Sequence, residues 1–203
     1  MFKNKMVVIV LVLVMALAGT TTAFADIDYS QWDSQSAYPK DVVNTPLFTP
    51  VKELVDKGIV TGDDDGLFHP DRTITRAEFA TMMAKATRKT NNLETLKTKV
   101  IFTDLEGYGW AQGYINACYE AGLVKGKGGS NFAPADQVSY VEVIAMITRS
   151  KSDKGSMAES LGTWPNNYIR YAQLYYKMGD VIINDWEAAA TRGDVAKLIY
   201  RLM

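Results

Sequence analysis

Two blocks of this chain are copies of each other. Gly58-Ile59-Val60-Thr61-Gly62 recurs 64 residues later as Gly122-Leu123-Val124-Lys125-Gly126. Phe68-His69-Pro70 recurs as Phe132-Ala133-Pro134, and Thr75-Arg76-Ala77-Glu78 as Ser139-Tyr140-Val141-Glu142, at the same offset. Landmarks with a common spacing point to stacked or bundled modules rather than one enzyme-sized core. Function is then expected at the surfaces between modules.

Each copy reads as helix, loop, helix. Leu47, Val51, Leu54 and Val55 fall on one helical face, and Lys57-Gly58 closes that helix. The stretch from Thr61 to Asp71 is rich in turn formers. Thr75 and Glu78 then form a capping box, each side chain satisfying an orphan backbone donor at the helix start. Phe79, Met82, Met83 and Ala86 give the second helix its buried stripe. The second copy has Tyr114, Ile115, Cys118 and Tyr119, then Gly122, then Ser139 with Glu142, and then Val143, Met146 and Ile147.

A third copy is degenerate. Tyr168, Tyr171, Ala172 and Tyr175 are helically spaced, Gly179 follows, and Thr191-Arg192-Gly193-Asp194 repeats the cap before Val195, Leu198 and Ile199. Its loop is shorter, 12 residues from Gly179 to Thr191 against 17 from Gly58 to Thr75, and lacks the Phe-x-Pro segment. Polar connectors over 89–99 and 150–162 separate the copies. One pair of short helices cannot bury its own apolar faces, whereas three pairs can. The expected fold is all-α, a pseudo-three-fold helical bundle with boundaries at 1–25, 26–90, 91–150 and 151–203.

Residues 1–25 read as a secretory signal peptide. Lys3 and Lys5 precede an apolar run from Met6 to Ala18, and Ala23-Phe24-Ala25 offers small residues for cleavage before Asp26. The 13-residue run is too short to span a bilayer, and nothing later is apolar enough to hold the chain in a membrane. Beyond the signal the chain carries 20 basic and 23 acidic side chains, too balanced to favour nucleic acid. Cys118 is the single cysteine and sits at an apolar helix position, so it reads as core. One histidine, His69, excludes His-rich metal sites and makes a Ser-His-Asp triad improbable.

The acidic turn Asp63-Asp64-Asp65-Gly66 resembles a calcium loop only in part. With Gly66 at position 6, Arg72 stands where the bidentate acid belongs. A solvated turn is the better reading, and no metal or cofactor is expected. The Thr-Arg-Ala-Glu tetrad says more. Capping explains the Thr and the Glu but not Arg76, nor Arg192 in the third copy; the second copy keeps the cap with Tyr140 between. The arginines fit either a surface salt bridge, worth little, or an anion site in which helix-start N–H groups and a guanidinium fork hold a carboxylate or phosphate.

Together these residues resemble three tandem S-layer homology domains. That family's unit runs Phe-x-Asp, Trp-Ala, a helix, Gly-Ile-x-x-Gly, Asp-Gly-x-Phe-x-Pro and Thr-Arg-Ala-Glu. The first copy supplies Gly58 to Gly62, Asp65 to Pro70, Ile74 and Thr75 to Glu78; the second supplies Phe102-Thr103-Asp104, Trp110-Ala111 and Phe132-Ala133-Pro134. The resemblance implies a secreted, non-catalytic protein of the bacterial cell wall, bound non-covalently to secondary cell-wall polysaccharide in grooves between modules. It implies a pyruvylated sugar as ligand and other surface-layer proteins as further partners. Carried over by position, Arg76 and Arg192 would take the anion, while Asp104 and Trp110 would contact the sugar. The departures are Pro46-Leu47 for Trp-Ala in the first copy, Tyr140 for Arg in the second, and Asp194 for Glu in the third. They imply two working grooves rather than three. No cargo region is apparent. The rival functions are a wall-glycan enzyme, which would need two carboxylates in a cleft, one with a raised pKa, and a protein-binding module on the same scaffold.

Overall fold

A computed structural model describes residues 37–151, 153–176 and 178–202. The expected signal peptide lies outside the described residues. The described elements are eight helices: α1 (Phe48–Asp56), α2 (Arg76–Ala86), α3 (Leu93–Lys97), α4 (Gly109–Glu120), α5 (Tyr140–Arg149), α6 (Lys154–Glu159), α7 (Asn166–Tyr175) and α8 (Arg192–Leu202). No strand is described, only isolated bridges, so the all-α expectation holds. No described helix is long and apolar enough to cross a membrane.

The local signals act as their chemistry dictates. Thr75 and Ser139 both form complete capping boxes with Glu78 and Glu142. Gly58 and Gly122 follow α1 and α4 at φ +67° and +69°, left-handed values a side chain would resist. The loop glycine Gly126 is needed for close approach, because a Cβ there would lie 2.6 Å from the Asn131 carbonyl oxygen. The 89–99 and 150–162 connectors are not featureless. They contain α3, which packs on α4, and α6, which packs on α5 and α7. Polar composition hid these helices because each buries only one residue, Leu96 and Ala158.

The helix pairs close into a ring. α2, α5 and α8 each touch the other two, and the first helix of each pair leans on the second helix of the preceding pair: α4 on α2, α7 on α5, α1 on α8. The core runs through all three pairs, with Phe68, Phe79, Met83, Ile115, Phe132, Ile144 and Ile199 at most 1% exposed. Truncating one of those phenylalanines to alanine would cost about 3–5 kcal/mol. Several stripe positions face outward instead: Tyr119 is 45% and Tyr175 53% exposed. Cys118 is buried, its Sγ 3.3 Å from the Ala80 carbonyl oxygen, and burial pushes its thiol up to about 12. It is a core residue and no nucleophile.

Candidate functional site

The start of each second helix is where the pairs meet. The amides of Arg76 and Ala77 donate to the carbonyls of Asp136 and Pro134; those of Tyr140 and Val141 to Ala188 and Trp186; those of Arg192 and Gly193 to Arg72 and Pro70. Every one of these bonds crosses to the loop of the next pair in the ring. The helix-start N–H groups that would have served an anion are therefore already bonded, and that part of the sequence expectation is corrected.

The arginine side chains follow their amides across. Arg76 lies with its guanidinium carbon 4.7 Å from the Phe132 ring centre, donates from Nε to the Phe132 carbonyl at 2.9 Å and from Nη1 to Glu142 Oε1 at 2.8 Å. Arg192 lies 4.5 Å from the Phe68 ring centre and donates to Asp63 Oδ1 and the Thr61 carbonyl, both at 2.7 Å. Both residues are under a tenth exposed. A buried cation over a ring is worth about 2 kcal/mol when desolvated, so these are not the weak surface pairs of the bland reading. Burial pulls the Arg76 pKa down and Glu142 opposes it. Burial likewise works to raise Glu142, but Arg76 and Lys127, the latter 2.6 Å from Oε1, hold its carboxyl below the ordinary value.

The third junction has neither arginine nor loop phenylalanine. Tyr140 is 9% exposed and donates its hydroxyl to Asp194 Oδ2 at 2.6 Å. Tyr140 and Asp194 occupy the places that Arg76 and Glu142 occupy at the first junction. The exchange of Arg for Tyr matches the loss of the Phe-x-Pro loop that a guanidinium would lie on.

Two grooves open beside the arginine junctions, and their loop and second-helix walls are built from residues 64 apart. The larger, about 570 Å³, is lined by Arg76, Lys125, Glu142, Met146, Arg149 and Trp164, with Lys127, Glu159, Asn167 and Tyr168 alongside. The smaller, about 130 Å³, is lined by Arg192, Thr61, Glu78, Met82, Lys85 and Trp110. Each groove has an arginine from one pair at its base, the loop and second helix of a second pair as its walls, and an exposed tryptophan from the third. Trp164 is 51% and Trp110 52% exposed. The larger groove sets four cations against Glu142 and Glu159, and so suits an anionic ligand with a flat apolar face. The side-chain hydrogen bonds of Arg76 use Nε and Nη1, not Nη2, and the residue lines that cavity. Asn167 is 4% exposed, and its Oδ1 has no hydrogen-bond partner. An unpaired buried acceptor costs about 1–3 kcal/mol and needs an explanation; a ligand donor would supply one.

The residues singled out from sequence divide accordingly. Arg192 and Trp110 come together in the smaller groove, and Arg76 lies in the larger one with Trp164. Asp104 borders neither. Its carboxylate accepts from the Phe132 and Ala133 amides at 2.7–3.0 Å and so holds Ala133 at φ +59°. Asp41 does the same for Phe68 and for His69 at φ +54°. Asp104, expected from the sequence to contact the sugar, is placed as a loop clamp outside the lining of both grooves. Sequence reasoning missed Asp41, Lys127, Asn167 and Trp164. Trp164 had a signal: Trp110 and Trp164 both stand four residues before a Tyr-Ile pair, Tyr114-Ile115 and Tyr168-Ile169.

Comparison with known proteins fits this geometry. The pattern of the S-layer homology domain matches residues 40–80 and 101–144. The "Middle cell wall protein" of Brevibacillus brevis is 34% identical over 150 residues, 73% of this chain and 14% of that protein. The "Surface layer protein" of Brevibacillus choshinensis is 35% identical over 119 residues, 59% of this chain and 10% of that protein. The "Cellulosome-anchoring protein" of Acetivibrio thermocellus is 37% identical over 128 residues, 61% of this chain and 28% of that protein. The chain thus spans between a tenth and under a third of the length of these relatives.

Proposed function

Residues 40–80 and 101–144 belong to the S-layer homology domain family, and on that footing we propose that the chain attaches non-covalently to a polysaccharide of the bacterial cell wall, outside the membrane, through the grooves between its helix pairs. The third pair, α7 and α8, completes the domain as a degenerate repeat. The ligand is an acidic secondary wall polysaccharide, with a pyruvyl carboxylate as its anionic group. The relatives' names, which include cell-wall, surface-layer and anchoring proteins, support the location.

One observation carries the reading. The larger groove joins an arginine, further cations, an exposed tryptophan and an unpaired asparagine oxygen around one cavity. In that arrangement Trp164 carries the sugar face, Arg76 Nη2 and Lys127 meet the carboxylate, and Asn167 accepts from a ligand donor. A glycosidase would need one carboxyl with a raised pKa. The two in this groove go the other way: Lys125 holds Glu159 down, and Arg76 and Lys127 hold Glu142 down. Neither carboxyl suits the general acid of a glycosidase, which favours binding over catalysis in this groove. Co-sedimentation with wall sacculi, native and chemically depyruvylated, tests it. Binding to the native sacculi with loss after depyruvylation is expected. Equal binding to both would remove the pyruvyl assignment; no binding, or release of sugar products, would remove the wall-binding reading.

A further inference from the structure

On the face where α1, α2, α4 and α5 end lies a further concavity, of about 760 Å³, which shares Arg149 with the larger groove and Ile59 and Lys85 with the smaller. It holds Lys57, Lys85, Arg88, Lys89, Arg149 and Lys151, and no acidic residue lines it. In a chain with a net charge of −1 this is a marked concentration of positive charge. Helix ends explain part of it. Lys85 and Arg149 lie in the last turns of α2 and α5, where cations offset the helix dipole. Lys57 is paired with Glu53 at 3.0 Å. Arg88, Lys89 and Lys151 lie beyond their helices, and that explanation does not reach them.

Arg88 adds an independent sign. It occupies the left-handed position after α2 at φ +56°, the place taken by Gly58 after α1 and Gly122 after α4. Its amide and that of Lys89 donate back to the Lys85 and Ala84 carbonyls, as a helix-closing motif requires. Glycine is the residue that motif favours. An exposed arginine is held there instead. Burial, and then the charge of Lys154, lower the Lys151 pKa.

The basin is also joined to the larger groove. Arg149 lines both. Its Nε donates to the Tyr168 hydroxyl at 2.9 Å on the groove side, and its Nη1 to the Leu123 carbonyl at 3.3 Å on the basin side. The larger groove and the basin therefore meet at Arg149.

We propose that this basin is a second anion site, which binds the closely spaced phosphate or carboxylate groups of the wall polymer whose end occupies the larger groove. The identity of that polymer rests on the wall-binding reading; the site itself does not. The groove reads one terminal sugar, and the basin reads repeated charge along the chain behind it. Two linked contacts of this kind raise avidity without any change in the groove.

The test is calorimetry of the whole chain against a glycerol-phosphate polymer, polygalacturonate and neutral dextran, at about 50 and 200 mM salt. Phosphate or carboxylate polymer is expected to bind, with an affinity that falls with salt; the stronger of the two identifies the anion. Arg88→Glu with Lys89→Glu should weaken that binding about tenfold at low salt and flatten the salt dependence by about one unit per cation removed. The single Lys89→Glu variant gives a smaller loss in the same direction, and keeps the test valid where the double variant does not fold. Equal binding to dextran, or unchanged affinity and salt dependence in a folded variant, would overturn the proposal. The outcomes separate the two readings. If wall sacculi bind and lose affinity on Trp164→Ala while the basin variants change nothing, the groove stands and the basin falls. If the basin variants weaken polymer binding while sacculi are not retained, the reverse holds.

Discussion

The two arginine grooves share a plan and differ in size, about 570 Å³ against 130 Å³. The difference lies in what each loop and helix contributes. In the larger groove the loop brings Lys125 and Lys127, and Asn167 stands where the smaller has Gly113. In the smaller, Thr61 and Asp63 are drawn onto Arg192, Glu78 is held by Arg72 at 3.0 Å, and α3 closes over Gly113, whose Cβ would lie 3.0 Å from the Leu93 carbonyl. Duplication preserved the arginine, the tryptophan and the cap. Divergence filled one groove with the protein's own groups and left the other open. The third junction goes further and replaces the cation with Tyr140.

The largest expected effect breaks the comparison at the arginines. Arg76→Ala strands the Phe132 carbonyl and leaves Glu142, 10% exposed, with Lys127 and the Ser139 amide as its remaining partners. It should cost about 3 kcal/mol in urea unfolding. Arg192→Ala frees Asp63, which is 40% exposed and can return to water, so about 1–2 kcal/mol is expected. Equal losses would mean that the two junctions are equally buried in solution.

The same junction carries a pH signature. The Glu142 carboxyl is held below its ordinary 4.5 in the folded chain. Its contribution is therefore fully present above the unfolded value and is lost as pH falls through the folded one. Glu142→Gln should be less stable than wild type at neutral pH, and the gap should close as pH falls below about 4.5. A gap constant from pH 7 to 3 would contradict the charge pairing.

Tyr140→Phe deletes the hydroxyl bond to Asp194 and should cost about 1–2 kcal/mol. Tyr140→Arg does not restore a groove, because the third loop lacks the phenylalanine over which the guanidinium lies at the other two junctions. Stability unchanged in Tyr140→Phe would show that the third junction does not depend on that bond. The smallest effect sharpens the difference between the grooves. Asn167→Leu removes an acceptor that has no partner, so the fold should keep or gain up to about 1 kcal/mol while polysaccharide affinity falls severalfold. A clear loss of stability would assign Asn167 to structure instead.

These outcomes mark what the sequence made legible. The capping boxes at Thr75 and Ser139 and most of the buried stripes, Tyr119 and Tyr175 excepted, were readable because their partners lie within a turn or two of chain. The role of Arg76 was not, because it depends on Glu142, 66 residues away, and on whether the helix-start amides were free. Asp41 escaped because it stands 63, not 64, residues before its counterpart Asp104. The short helices in the connectors escaped because propensity is weak over five or six residues and packing on α4, α5 and α7 makes them.

The central claim is that the larger groove holds the wall polysaccharide and the smaller does not match it. Trp164 and Trp110 are equally exposed counterparts, so their removal perturbs binding without unfolding either groove. Titration of wall sacculi with folded Trp164→Ala and Trp110→Ala proteins decides the matter. The account predicts at least a tenfold loss of affinity for Trp164→Ala, about 1.4 kcal/mol or more, and less than about threefold for Trp110→Ala. Full retention by Trp164→Ala, or a larger loss from Trp110→Ala, would contradict it.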